Sequence, residues 1–548
     1  MAASVGLIPG VAQAGPAAPG SGGTHGVSVP DADLNKAAAS NFTTFKSPAE
    51  HTVQTSSAAK ADGKAAATPQ ASGSAAAEPT VGLTAKGTSA RGISLDVAVT
   101  SDPGTALSVN VDWGDGTSVT FGANGPTNST ETHSYAEIGS YTIKVTLSDG
   151  SGERAVNQLG IATPGSDFTP YAPTRLLDTR DGTGAVKGKV APYGTTRVKI
   201  SGNDAIPAGV TAVVLNVTAT NTTSGGHVTV FPEGSDRPAT SNVNFSAGQT
   251  VPNLVIVPVN KNGYVDLYNG GWESVDLIAD ITGYFTRTSS SGYTPLTPSR
   301  FVDTREGLGA DKGQVAGQSS IGVQITGKSG IPSGATAVAL NVTVTNPHED
   351  GHLTVFPSGG SVPTTSNLNF RGGQTVANSV IVPVGPDGSI NIRNGAWKGA
   401  DVIVDVVGYY SKDSQGAYLP FLPERLLDTR DPADWPYGPL GGQGYIYMPL
   451  STKRPANTAY VLNTTVTNTR GDGYLTVSPD PNTLTDYDNN WAVWPTPPNS
   501  SNLNWKNGDT VPNLVQAGMG NNGIVDYWNR GWDDIDVVVD IFGVYQTN

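Results

Sequence analysis

The chain has no cysteine, so disulfide staples, thiolate metal sites and a cysteine nucleophile are excluded. It is also poor in charge. Asp, Glu, Lys and Arg make up 14% of the 548 residues, against roughly 25% in ordinary globular proteins. No basic cluster offsets the net charge of −14, which argues against nucleic acid and anionic membrane as partners. No run of 18 apolar residues exists, so membrane insertion through a helix is not expected. Beyond the N-terminus, no stretch keeps the apolar period of a helix. In their place stand 68 glycines and 39 prolines among many Thr, Ser, Val and Asn residues. That composition suits short strands joined by turns, and the fold class read from it is all-β.

The dominant feature is a unit that occurs three times. Ser241 to Phe285 returns as Ser366 to Tyr410 and again as Ser501 to Tyr545. Asp178, Asp303 and Asp428 are evenly spaced, whereas the third copy carries an insertion around 480–498 that includes Trp491 and Trp494. Copy one shows about eight short apolar runs broken by Gly, Pro and Asn turns, among them the hairpin signal Asn262-Gly263. Eight strands in a unit of this length predict a β-sandwich of jelly-roll or Ig-like kind. The period is too long for a solenoid or propeller. The expected organisation is therefore three whole domains in tandem, at 164–288, 289–413 and 414–548.

Two further regions precede them. Residues 1–15 end in Ala12-Gln13-Ala14, an A-x-A type cleavage pattern without the usual basic start. It reads as the tail of a secretory signal and points to an extracellular or cell-surface location. The rest of 1–78 is Ala, Ser, Gly, Thr and Pro with little to bury, and is expected to be a disordered leader. Residues 79–163 alternate like strands and contain Asp112-Trp113-Gly114-Asp115-Gly116, then His133, Tyr135, Gly139 and Tyr141. This stretch resembles the PKD domain, an Ig-like sandwich. The resemblance implies a non-catalytic spacer or adhesive module of an extracellular protein, with His133 as a packed residue of the motif. The repeated unit, with its RLLDTR opening and GYF close, resembles a module that recurs in actinobacterial secreted proteins, in tandem and beside enzymatic or PKD-like domains. That resemblance implies nothing about activity.

Three constellations recur. The first joins Arg175, Asp178 and Arg180 with Asp280, and likewise Arg300, Asp303 and Arg305 with Asp405, and Arg425, Asp428 and Arg430 with Asp540. The last acid of each set lies in a strongly apolar strand, so it needs a partner, and the forked arginine is the natural one. Structural ion pairs are expected. A catalytic pair of Asp178 and Asp280 is the weaker reading, because no histidine or third acid recurs with it. The second constellation is Asp276, Asp401 and Asp536, with Asp266 and Asp526 at one repeat position where copy two has Asn391, oxygens that Ca²⁺ could use. It lacks a dense D-x-D-x-D loop, so neither metal nor cofactor is assigned. The third is aromatic. Trp272, Trp397 and Trp532 share one repeat position, each in a turn opened by Asn269, Asn394 or Asn529. An exposed indole beside an amide suits a sugar ring, and a buried one would cap the sandwich. Asn253, Asn378 and Asn513 are expected to hold backbone turns. The position of His227 and His352 is taken by Tyr474 in copy three, which argues against a shared base.

The function read from the sequence is non-catalytic, multivalent attachment to a glycan or cell-surface polysaccharide. The alternatives are a structural surface protein whose repeats act as spacers, and a hydrolase with an unrecognised site.

Overall fold

The computed structural model describes residues 25–26, 42–55, 77–433, 435–450, 456–520 and 522–547. The signal-like segment 1–15 and most of the leader lie outside the described residues. The fold is all-β, as the composition indicates. Part of the expected leader is ordered, however. Thr44–Ser47 pairs antiparallel with Thr80–Gly87, and Val53–Gln54 pairs with Gly152–Ala162. These short strands extend both sheets of the sandwich that follows. Ser47 is buried and bonds Asn157 Oδ1 at 2.7 Å. A strand of four residues has too few alternations to stand out from its polar surroundings.

In that sandwich Trp113 is buried and the Tyr135 hydroxyl donates to its carbonyl at 3.0 Å. Gly114 has φ +82°, and a Cβ there would meet the Thr142 carbonyl oxygen at 2.5 Å. His133 stacks on Trp113 with ring centroids 4.8 Å apart and lies 2.8 Å from Asp115, a packed arrangement.

Each repeat is a jelly roll. In copy one the strands run in chain order Asp167–Asp178, Thr195–Lys199, Val210–Thr220, Gly226–Pro232, Val243–Phe245, Val251–Pro258, Tyr264–Asn269 and Asp276–Thr286. One sheet holds the first, eighth, third and sixth, and the other the second, seventh, fourth and fifth. This is two interleaved Greek keys. Copies two and three repeat the same order.

The sandwiches are not beads on a string. The strand Asp276–Thr286 is buried at every position, so both of its faces are covered. Leu277, Ala279 and Ile281 face the core of their own repeat. Further along, Phe285 joins Phe168, Tyr293, Tyr410, Tyr418 and Tyr545 in a cluster built from all three copies. The three first-plus-eighth sheets thus pack against one another around a pseudo-threefold axis. Asparagines close the ring. Asn378 Nδ2 donates to Asn216 Oδ1 at 3.0 Å, Asn513 to Asn341 at 3.0 Å and Asn253 to Asn463 at 2.9 Å. Asn253, Asn378 and Asn513 also bind the carbonyls of Asn242, Asn367 and Asn502 in their own copies, so they hold turns as well as the interface.

The GYF-type close has a packing cause. A Cβ at Gly283, Gly408 or Gly543 would overlap the ring of Phe168, Tyr293 or Tyr418 at 2.2–2.4 Å. Glycine there lets the aromatic of the first strand lie against the eighth. The PKD-like sandwich sits at this aromatic end of the ring. Ala90 N donates to Gln546 Oε1 at 2.9 Å, and the Arg91 guanidinium donates to the Gln415 carbonyl.

Candidate functional site

The recurrent arginines and aspartates meet as follows. Arg175 Nε lies 2.9 Å from Asp280 Oδ1, Arg300 Nε 2.9 Å from Asp405 and Arg425 Nε 2.9 Å from Asp540. Arg180, Arg305 and Arg430 each lie 2.6 Å from Asp178, Asp303 and Asp428. The hydrogen bonds from Arg180 and Arg430 hold Asp178 and Asp428 below the usual carboxylate range. Burial pushes Asp280 and Asp405 up against the opposing pull of their arginines.

The late acids alternate with Leu277, Ala279 and their counterparts, so they face the neighbouring repeat. Asp405 accepts a backbone hydrogen bond from Ser501, and Asp540 one from Ser241. Beside them Asn216 donates to the Ser366 carbonyl at 2.7 Å, Asn463 to that of Ser241 at 2.7 Å, and Asn341 to that of Ser501. The motif is therefore wired into the contact between copies. In copy three Arg425 Nη2 turns to the Ala239 carbonyl at 3.4 Å and leaves Asp540 Oδ2 without a hydrogen bond among the described residues. Burial raises Asp540 to about 6 despite Arg425.

Asp276 accepts from the Thr179 hydroxyl at 2.9 Å and from Asn221 Nδ2 at 2.8 Å, and Asp401 and Asp536 have the same partners in their copies. These acids fix the threonine of the opening motif. His227 and His352 pack against Gly270 and Gly395, and burial together with Arg237 or Arg393 lowers both imidazoles.

The three tryptophans present a different picture. Trp272, Trp397 and Trp532 are 77%, 83% and 82% exposed. The asparagines that open their turns are fully buried, which corrects the expectation that they flank a ligand. Asn269 Nδ2 donates to the carbonyls of Val190, Ala191 and Glu273 at 3.1, 3.0 and 2.9 Å, and its Oδ1 accepts from Gly271 N. Asn394 and Asn529 repeat this pattern on Val315 and Lys398, and on Leu440 and Asp533. With donors and acceptor consumed, the amide shapes the turn and holds out the indole. Trp397 N and Lys398 N are further braced by Glu349 Oε1 at 2.6 and 2.9 Å.

All three turns lie at one end of the ring. Trp272 just precedes Asp276, the start of the eighth strand, while Phe285 near its finish lies in the aromatic cluster beside the PKD-like sandwich. At the Asp276 end the turns around Gly248, Gly373 and Gly508 surround a cavity of about 610 Å³. Its wall takes Asn244, Asn369 and Asn504 from equivalent positions, and it extends between copies one and two past Thr220 and His352. The Arg371 guanidinium spans this cleft to the Gly248 carbonyl. The cavity exists only because three copies meet, which a reading of one copy at a time does not reveal. Sequence reasoning also missed the third copy's insertion as a packed element. There Tyr487 donates to Asp480, and burial beside Asp480 pushes Asp526 up to about 10.

Among the described residues no group of three or more His, Cys, Asp or Glu is placed to hold a metal ion. A family model described as PKD domain matches residues 75–161. No curated protein matches the chain in sequence. Among solved structures, a study of promiscuous specificity in carbohydrate-binding modules of the β-sandwich superfamily is similar at 14% identity. It covers 38% of this chain and 93% of its own, at TM-score 0.17. The N-terminal CBM22-1-CBM22-2 tandem domain of Paenibacillus barcinonensis Xyn10C is similar at 10% identity, covering 44% and 98%, at TM-score 0.15. A triple jelly-roll protein of an archaeal virus turret is similar at 9% identity, covering 70% and 90%, at TM-score 0.15. Within this chain, the sandwich that seats the ring is a PKD domain.

Proposed function

We propose that the protein is a non-catalytic, multivalent glycan-binding protein of the cell exterior, and that Trp272, Trp397 and Trp532 are its contact residues. The observation that carries the reading is three indoles exposed on equivalent turns at one end of a closed ring. A solvent-facing indole removes the capping explanation, since a capping ring would be covered. A sugar ring stacks its apolar C–H face on such a platform, and polar residues of the surrounding turns meet its hydroxyls. Three weak sites facing one way gain roughly 10²–10⁴-fold in avidity when one polymer engages them together. The PKD domain at the opposite end leaves the tryptophan end free, and it agrees with an extracellular location. A spacer would gain length from repeats in a line, and folding back into a ring forgoes that length. The recurrent Asp–Arg sets serve the interface, which leaves them no free carboxylate pair for hydrolysis.

Retention of the whole chain in native gels cast with xylan, mixed-linkage β-glucan, galactomannan or pullulan tests the reading. The wild-type chain is expected to be slowed by at least one polymer and the triple W272A/W397A/W532A variant by none. Equal mobility of the two proteins in every gel would overturn it.

A further inference from the structure

Copy one departs from the other two at one strained position. Tyr193, Gln318 and Gln443 are equivalent, and all three adopt left-handed backbone, with φ of 54°, 57° and 57°. A non-glycine residue there needs a reason. In copies two and three the reason is a tie to the tryptophan turn. Gln318 Nε2 donates to the Gly395 and Ala396 carbonyls at 2.6 and 3.0 Å, and Gln443 Nε2 donates to that of Gly531 at 2.9 Å. Tyr193 makes no such tie among the described residues. Its ring stands 50% exposed, 5.6 Å from the Trp272 indole and at 81° to it. A costly backbone is thus kept for a side chain that gives the fold less than glutamine does.

We infer that copy one holds a two-walled subsite, Tyr193 and Trp272, which grips one neutral pyranose from two sides and is the strongest of the three. This rests on the glycan reading of the tryptophans. A pyranose has an apolar C–H face and C–H edges, which match two aromatic planes meeting near a right angle. The phenol hydroxyl stays free to bond a sugar hydroxyl. Copies two and three offer a single platform, because their glutamines fold back onto the turn. The exposed Glu273 beside Trp272 and the chain's net charge of −14 favour a neutral sugar over a uronic acid.

The test exchanges residues that the repeats themselves supply. Y193Q installs the glutamine of the other copies and Q318Y the tyrosine of copy one, so both are compatible with the fold. Each full-length variant is run in the four polysaccharide gels beside W272A and the triple tryptophan variant. Y193Q is expected to weaken retention roughly three- to tenfold, as W272A does, with an unchanged melting temperature. Adding W272A to Y193Q is expected to cost little more, and Q318Y is expected to tighten retention. Wild-type retention by Y193Q together with weakened W272A would overturn the two-walled subsite and leave the single platforms standing. Unchanged mobility of the triple tryptophan variant would remove both readings.

Discussion

Asn253 of the first repeat donates a hydrogen bond to Asn463 of the third, 2.9 Å away, and so joins the two ends of the repeat array. Its Oδ1 accepts from Leu514 N at 3.2 Å and its Nδ2 also reaches the Asn242 carbonyl at 2.6 Å. One side chain therefore satisfies three groups in a contact closed to water. Asn253→Ala is expected to cost at least about 2 kcal/mol, since it strands buried partners on both sides. Chemical denaturation of the variant against the wild type measures it, and a loss below about 0.5 kcal/mol would contradict the role.

The shared aromatic cluster predicts how the ring melts. Because Phe285, Tyr410 and Tyr545 are buried by neighbouring copies, no repeat can unfold without exposing the others. Calorimetry should show the three repeats as one cooperative transition, with calorimetric and van't Hoff enthalpies in agreement for that transition. Three resolved transitions would contradict a closed ring.

Asp280 is 2% exposed and held by Arg175. Asp280→Ala leaves that guanidinium without its main partner and is expected to cost about 3–5 kcal/mol. The loss should appear in the whole ring transition, because the acid faces the next repeat.

Asp540 supplies a pH dependence of definite sign. Burial raises its folded value to about 6 from an ordinary 3.8, so the fold favours the protonated acid. Its contribution to stability is present below about pH 3.8 and is lost as pH rises through about 6. Asp540→Asn cannot titrate. Its stability relative to wild type should therefore rise between pH 4 and pH 7, by about 2–3 kcal/mol. A difference that stays flat over this range would contradict the burial of a poorly compensated acid.

Much of this architecture is legible in the sequence. Eight short runs per copy give the sandwich, and three equivalent tryptophans in polar turns single out the residues that stand exposed. The apolar run around Asp280 signals a strand with two covered faces. It does not say what covers the second, because a contact between equivalent residues of different copies has no local pattern. The asparagines mislead for a related reason. An Asn–Gly turn looks polar and free, yet Asn269 turns its amide inward to the carbonyls of Val190, Ala191 and Glu273. Tyr193 is hidden more simply, since its strain is a property of the backbone and its partner Trp272 lies far along the chain.

The turns separate shape from contact. Trp272→Ala removes an exposed ring and is expected to change stability by no more than about 0.5 kcal/mol. Asn269→Ala takes their only partner among the described residues from the Glu273 carbonyl and the Gly271 N–H, and a second donor from the Val190 and Ala191 carbonyls, and is expected to cost about 1–3 kcal/mol. Thermal melts of the two variants check this, and the reverse order would contradict the exposed platform.

The most direct measurement is polysaccharide retention across the stepwise series W272A, W272A/W397A and W272A/W397A/W532A, each at unchanged melting temperature. Retention should fall modestly at the first step, more steeply at the second and to background at the third, as avidity is lost site by site. Retention that stays at the wild-type level through all three steps would contradict a ring that presents its tryptophans for binding.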